Sequence, residues 1–85
     1  MNHFATPAFW KSYKSPPGPI QRIADKSFAL LVENPRHPSL HLKSVGRYWS
    51  ARASFDYRAL AVRDGDDLLW FWIGHHSEYD RLIGR

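Results

Sequence analysis

Five side chains in the second half of the chain are of types that act on phosphates: Arg52, Arg58, His75, His76 and Tyr79. Arginine carries a permanent charge and a planar fork that grips a phosphate through paired hydrogen bonds. A neutral imidazole takes up and returns a proton near pH 7, and a phenol can orient or donate. Such a set suits displacement at a phosphodiester in which fixed positive charge on side chains, not a metal ion, stabilises the extra negative charge. Each member also has a plainer reading. Two arginines can be solvated surface charge, and a tyrosine near a chain end commonly pins a terminal helix to the core. His41, Lys43 and Arg47, upstream on the same expected sheet edge, could bind flanking phosphates or simply be solvated. No metal or other cofactor is expected, because His3, His37, His41, His75 and His76 lack any tight ligand spacing and basic surroundings repel cations. Neither a Gly-rich phosphate loop nor a Ser/His/Asp order nor a carboxylate pair is present.

Three adjacent strands must position these groups. Residues 48–79 are rich in Trp, Tyr, Phe, Val and Leu and are broken by Ser54-Phe55-Asp56 and by Asp64-Gly65-Asp66-Asp67. A tight hairpin centred near Phe55 sets Arg52 across from Arg58, Ala51 across from Ala59 and Trp49 across from Ala61. A second, near Gly65-Asp66, sets Arg58 across from Ile73, Ala59 across from Trp72 and Ala61 across from Trp70. Side chains alternate along a strand, so the sheet gains two unlike faces. Trp49, Ala51, Ala59, Ala61, Trp70 and Trp72 form the core face. Arg52, Arg58, Leu60, Phe71, Ile73 and His75 share the other. Uninterrupted pairing thus brings His75 to the arginines and turns His76 away, whereas a break at Gly74 reverses the two.

The remaining sequence reads as support. Thr6 is placed to cap one or two helical turns over Pro7–Tyr13, after a short extended piece around His3–Thr6. Pro16-Pro17-Gly18-Pro19 forces a rigid turn. A helix follows from about Pro19 to Glu33, its stripe of Ile20, Ile23, Ala24, Ser27, Phe28 and Leu31 facing the sheet and Leu30 and Val32 lying off it. A short strand is expected around Leu40–Val45, and Ser77 is placed to cap a last helix, Glu78–Ile83. The fold class is α+β, with N-terminal helices on one face of a small antiparallel sheet and a short C-terminal helix.

Composition narrows the partners. At 85 residues with 44% hydrophobic and 15% aromatic content, the chain can build a core, so disorder is not expected outside its ends. It has no cysteine, which excludes disulfides and thiolate ligands. The absence of a signal-like start or a long apolar run leads to a cytoplasmic, membrane-free expectation. The net charge is +4, and the stretch 36–63 holds six Lys or Arg against Asp56 alone. A basic, aromatic-bearing sheet points to a polyanion, nucleic acid above all, or to an acidic protein.

The blocks HPSLHLKSVGRYWSAR, FDYRALAV and WFWIGHHSEYDRL, in that order after a helix, resemble the RelE/ParE superfamily of toxins from type II toxin–antitoxin modules. The likeness covers about residues 19–83 and would make residues 1–85 one such domain. It implies a microbial-ribonuclease-like fold whose RelE-like members are endoribonucleases that cut mRNA on the ribosome and cause growth arrest. It also implies a cognate antitoxin as partner. On this resemblance Arg58 is the phosphate-binding arginine, Arg52 a basic position on the preceding strand, and His75 or His76 with Tyr79 the C-terminal catalytic segment. The lysine pair of some members is absent, and Leu40 or His41 stands where others keep a glutamate. A ParE-like inhibitor of DNA gyrase, or an inactive basic binding module, is the alternative.

Overall fold

A computed structural model describes residues 2–84. In chain order these form β1 (Asn2–Ala5), α1 (Pro7–Tyr13), α2 (Gly18–Glu33), a 3-10 turn (Pro38–Leu40), β2 (Lys43–Val45), β3 (Tyr48–Arg52), β4 (Tyr57–Asp64), β5 (Asp67–His75) and α3 (His76–Leu82). One sheet runs in the order β1-β5-β4-β3-β2. Its β2–β5 part is antiparallel, as expected, but β1 pairs parallel to β5 from Asn2↔Asp67 to Ala5↔Trp70. The sheet is therefore mixed. The extended piece at the start of the chain supplies its fifth strand.

The β3–β4 hairpin has the expected register, with Arg52↔Arg58, Ala51↔Ala59 and Trp49↔Ala61. In the next hairpin Ala61↔Trp70 also holds, and Gly65 takes φ 61° at the turn. Beyond that pair the register shifts by one. Leu60 meets Trp72, Ala59 meets Ile73, and Arg58 meets Gly74. Phe71 is the extra residue of a β-bulge on β5, and a bulge reverses which side chains face which way beyond it. Ile73 consequently belongs to the core, 3% exposed, and not to the arginine face. Trp72, expected in the core, lies half-buried with its ring over Gly74.

Buried Phe9, Ala24, Leu31, Leu40, Ala51, Ala53, Ala61, Leu68, Trp70 and Ile73 make up the core between the sheet and the N-terminal helices. The helices are tied down by polar contacts. Thr6 Oγ1 accepts from Phe9 N–H at 3.3 Å, closing the cap of α1, and donates to the Trp70 carbonyl at 3.0 Å. β1 ends where the bulge begins, leaving the Ile73 N–H without a strand partner. Ser12 Oγ on α1 accepts it at 3.1 Å, so the buried donor is satisfied. Ser27 Oγ on α2 donates to the Ala53 carbonyl at 2.8 Å, and Tyr13 Oη donates to Asp25 Oδ1 at 2.6 Å. An apolar cleft of about 260 Å³ remains between α1, α2 and the sheet.

Other local differences have simple causes. Pro38–Leu40 coils into a 3-10 turn capped by His37, and His41 takes a left-handed φ of 47°, so the expected Leu40–Val45 strand shortens to Lys43–Val45. Leu30 packs against the core from off the stripe, while Ile23, on the stripe, and Val32 are exposed. The last helix starts at His76, two residues earlier than expected. His75 caps it, with Nδ1 accepting from Ser77 N–H at 3.2 Å.

Candidate functional site

The face opposite the core carries a polar depression of about 410 Å³. Its floor comes from β3 and β4, where Ser50, Arg52 and Arg58 point the same way by strand alternation. His41 and Lys43 close one side, and His76, Tyr79 and Asp80 of α3 close another. The tip of the β3–β4 hairpin, Phe55 and Asp56, forms the rim.

α3 is held over this face at its start and at its middle. The His76 N–H donates to the Asp56 carbonyl at 2.8 Å, fixing the helix start against the hairpin loop. Three residues on, Tyr79 Oη donates to Ser50 Oγ at 3.0 Å in a buried bond. The phenol thus pins the terminal helix, the plainer of its two readings, while the ring lines the depression. Beneath it Leu60 is fully buried at 0% exposure on the arginine face, outside the main core.

Arg58 is the most constrained cation. Its Nη1 donates to the carbonyls of Ser54, Phe55 and Tyr57 at 3.0, 3.1 and 3.0 Å. Burial, then the neighbouring Arg52 charge, lowers its pKa from the usual arginine value; Tyr79, Asp56 and Asp80 pull the other way. A guanidinium stays charged through such a shift. Two like charges directly opposite on neighbouring strands repel, and an anion between them would relieve the repulsion. The buried Nε of Arg52 has no hydrogen-bond partner, so this side chain also holds an unused donor.

Of the residues singled out from sequence, Arg52, Arg58, His76, Tyr79, His41 and Lys43 come together here. His75 does not. It pairs with Tyr57, meets that ring edge-on at 5.7 Å, and spends Nδ1 on its helix cap. Arg47 is also elsewhere, its guanidinium 5.3 Å from the Tyr48 ring centroid in the β2–β3 turn. Asp56, Asp80, Ser50 and Phe55 were missed. His76, Tyr79 and Asp80 at i, i+3 and i+4 share one helix face, a spacing that could have disclosed Asp80. The expectation of no metal rested on linear spacing and on basic surroundings, yet folding brings ligand atoms of Asp56, His75 and His76 within 4.8 Å of one another. These three could hold a divalent cation, against the repulsion of the two arginines.

No family model matches the chain, and no curated protein matches it in sequence. Solved structures do match in fold. A chain of the RelB–RelE antitoxin–toxin complex from Methanococcus jannaschii superposes with a TM-score of 0.69 at 21% identity, covering 92% of this chain and 96% of that one. YafQ from E. coli strain BL21(DE3) gives 0.66 at 15% identity, with the same coverages of 92% and 96%. The isolated E. coli RelE toxin gives 0.61 at 14% identity over 96% and 97% of the two chains. The fold is that of the RelE-type toxins, α+β with the N-terminal helices on one face of the sheet and a short C-terminal helix.

Proposed function

We propose that the protein is the toxin of a type II toxin–antitoxin module and an endoribonuclease acting on mRNA at the ribosome. The observation that carries this reading is the convergence of Arg52, Arg58 and His76 in one depression on a RelE-type fold. In the proposed reaction His76 removes the proton from a ribose 2′-hydroxyl, which attacks the adjacent phosphorus. Arg52 and Arg58 stabilise the charge gathering on the phosphorane oxygens. The 5′-oxygen of the next nucleotide leaves, taking a proton from water, and a 2′,3′-cyclic phosphate remains. Tyr79 orients α3, and His41 and Lys43 hold flanking phosphates. A cognate antitoxin neutralises the activity; its acidic groups would be drawn to the basic face.

The gyrase-inhibiting alternative gains nothing from these likenesses. Primer extension on transcripts from cells induced to make the protein separates the two. Discrete internal cleavages within translated mRNA are expected. Intact transcripts with gyrase trapped on DNA would overturn the assignment.

A further inference from the structure

Phe55 occupies the tip of the β3–β4 hairpin with 83% of its surface exposed, the most exposed large apolar side chain among the described residues. Leaving a phenyl ring in water forgoes about 1.5–3 kcal/mol of burial. The position also runs against turn chemistry, which favours small polar residues. The tip is nevertheless not loose. Arg58 Nη1 ties the carbonyls on both sides of it, including that of Phe55 itself. The N–H groups of Ala53 and Ser54 donate to the Tyr57 carbonyl at 3.0 and 3.3 Å, and His76 N–H fixes Asp56. The loop presents an aromatic ring on a braced support at the rim of a depression floored by two arginines.

We propose that Phe55 is the base-stacking residue of this site, the face on which one nucleobase of a single-stranded RNA substrate lies while the arginines hold an adjacent phosphate. This rests on the ribonuclease reading above and adds to it a residue that sets substrate binding. A nucleotide carries an anion and a flat π-surface side by side. Every base has such a surface, so the contact tolerates many sequences. Single strands can splay a base outward to meet it, whereas a duplex keeps its bases stacked. An apolar protein segment would satisfy the ring but not the cations beside it: Arg52, Arg58 and Lys43. Because the ring touches substrate before and during the reaction alike, its loss weakens binding without slowing the bound complex.

The test measures cleavage of a translated reporter mRNA in a cell-free translation extract, by primer extension, over a range of mRNA concentrations. Phe55→Ala and Phe55→Leu should raise KM on the order of 10–100-fold with kcat little changed, and Phe55→Trp should match wild type. Thermal melting of all three should match wild type, because the side chain packs against little. If Phe55→Ala cuts like wild type while Arg58→Ala does not cut, stacking is wrong and the ribonuclease reading stands. Full rescue by Phe55→Leu would make the contact merely apolar and overturn the proposal. Failure of the wild-type protein to cleave at all would overturn both.

Discussion

The adjacent histidines share one solvent-exposed corner, and the proposed reaction gives them different jobs. Successive strand residues point to opposite faces, so His75 and His76 could not both reach the arginines. The bulge at Phe71 has already reversed the facing, and the chain turns into α3 at His76. His75 therefore ends the strand on the Tyr57 side and caps the helix, leaving His76 over the depression. His76→Ala should cut the cleavage rate by about 10²–10⁴ with stability unchanged. His75→Ala should keep most activity and lose about 1 kcal/mol of stability, the usual worth of a cap. Cleavage rates and urea denaturation on the pair check this, and equal rates for both variants would free the general base for another group. Arg58 has a double task as well. Arg58→Ala releases three loop carbonyls and removes the proposed phosphate ligand, so activity should fall about 10²–10³-fold. Arg58→Lys should recover only part, since an ammonium lacks the planar fork.

Among the elements, the first hairpin was legible in the sequence and the second was legible only as far as its bulge. Tyr48–Arg52 and Tyr57–Asp64 flank a loop whose centre can be counted, and small alanines alternate with large residues, so Arg52↔Arg58 follows. Leu68 to Ile73 is an unbroken apolar run, and alternation is invisible where every residue is apolar. Nothing in LLWFWI marks Phe71 as the extra residue. That single insertion moved Trp72 off the core face, brought Ile73 into it and set Gly74 opposite Arg58. Gly74 then does more than permit a turn. A Cβ there would lie 2.3 Å from Cζ2 of Trp72, so the indole needs a glycine beneath it. Gly74→Ala should cost about 1–3 kcal/mol in chemical denaturation, the ordinary penalty of overpacking. An unchanged midpoint would mean that Trp72 moves aside freely.

At the scale of the whole molecule, the least legible feature was the parallel pairing of β1, because four residues of strand leave almost no pattern. What secures it is a contact between chain positions far apart. Trp70 Nε1–H donates to His3 Nδ1 at 3.2 Å, which requires the imidazole to be neutral with its proton on a buried, unpartnered Nε2. Burial is the main cause holding the His3 pKa below its ordinary 6.5. As pH falls below about 6.5, the unfolded chain binds a proton at this histidine before the folded one does. Stability should therefore be highest above that value and decline with acidification, until the folded His3 titrates too. Melting curves between pH 8 and 5 should show this decline in the native protein and a shallower one in His3→Gln. Identical slopes would remove His3 from the account.

The central claim, that this basic face cleaves RNA through the ribose 2′-hydroxyl, is tested most directly by the chemistry of the cut ends. Reporter mRNA cleaved by the purified protein on translating ribosomes should carry 2′,3′-cyclic phosphate and 5′-hydroxyl termini. A transcript with a 2′-deoxyribose at the scissile position should stay intact there. Cleavage at that deoxyribose, or products bearing 5′-phosphate and 3′-hydroxyl ends, would contradict the claim.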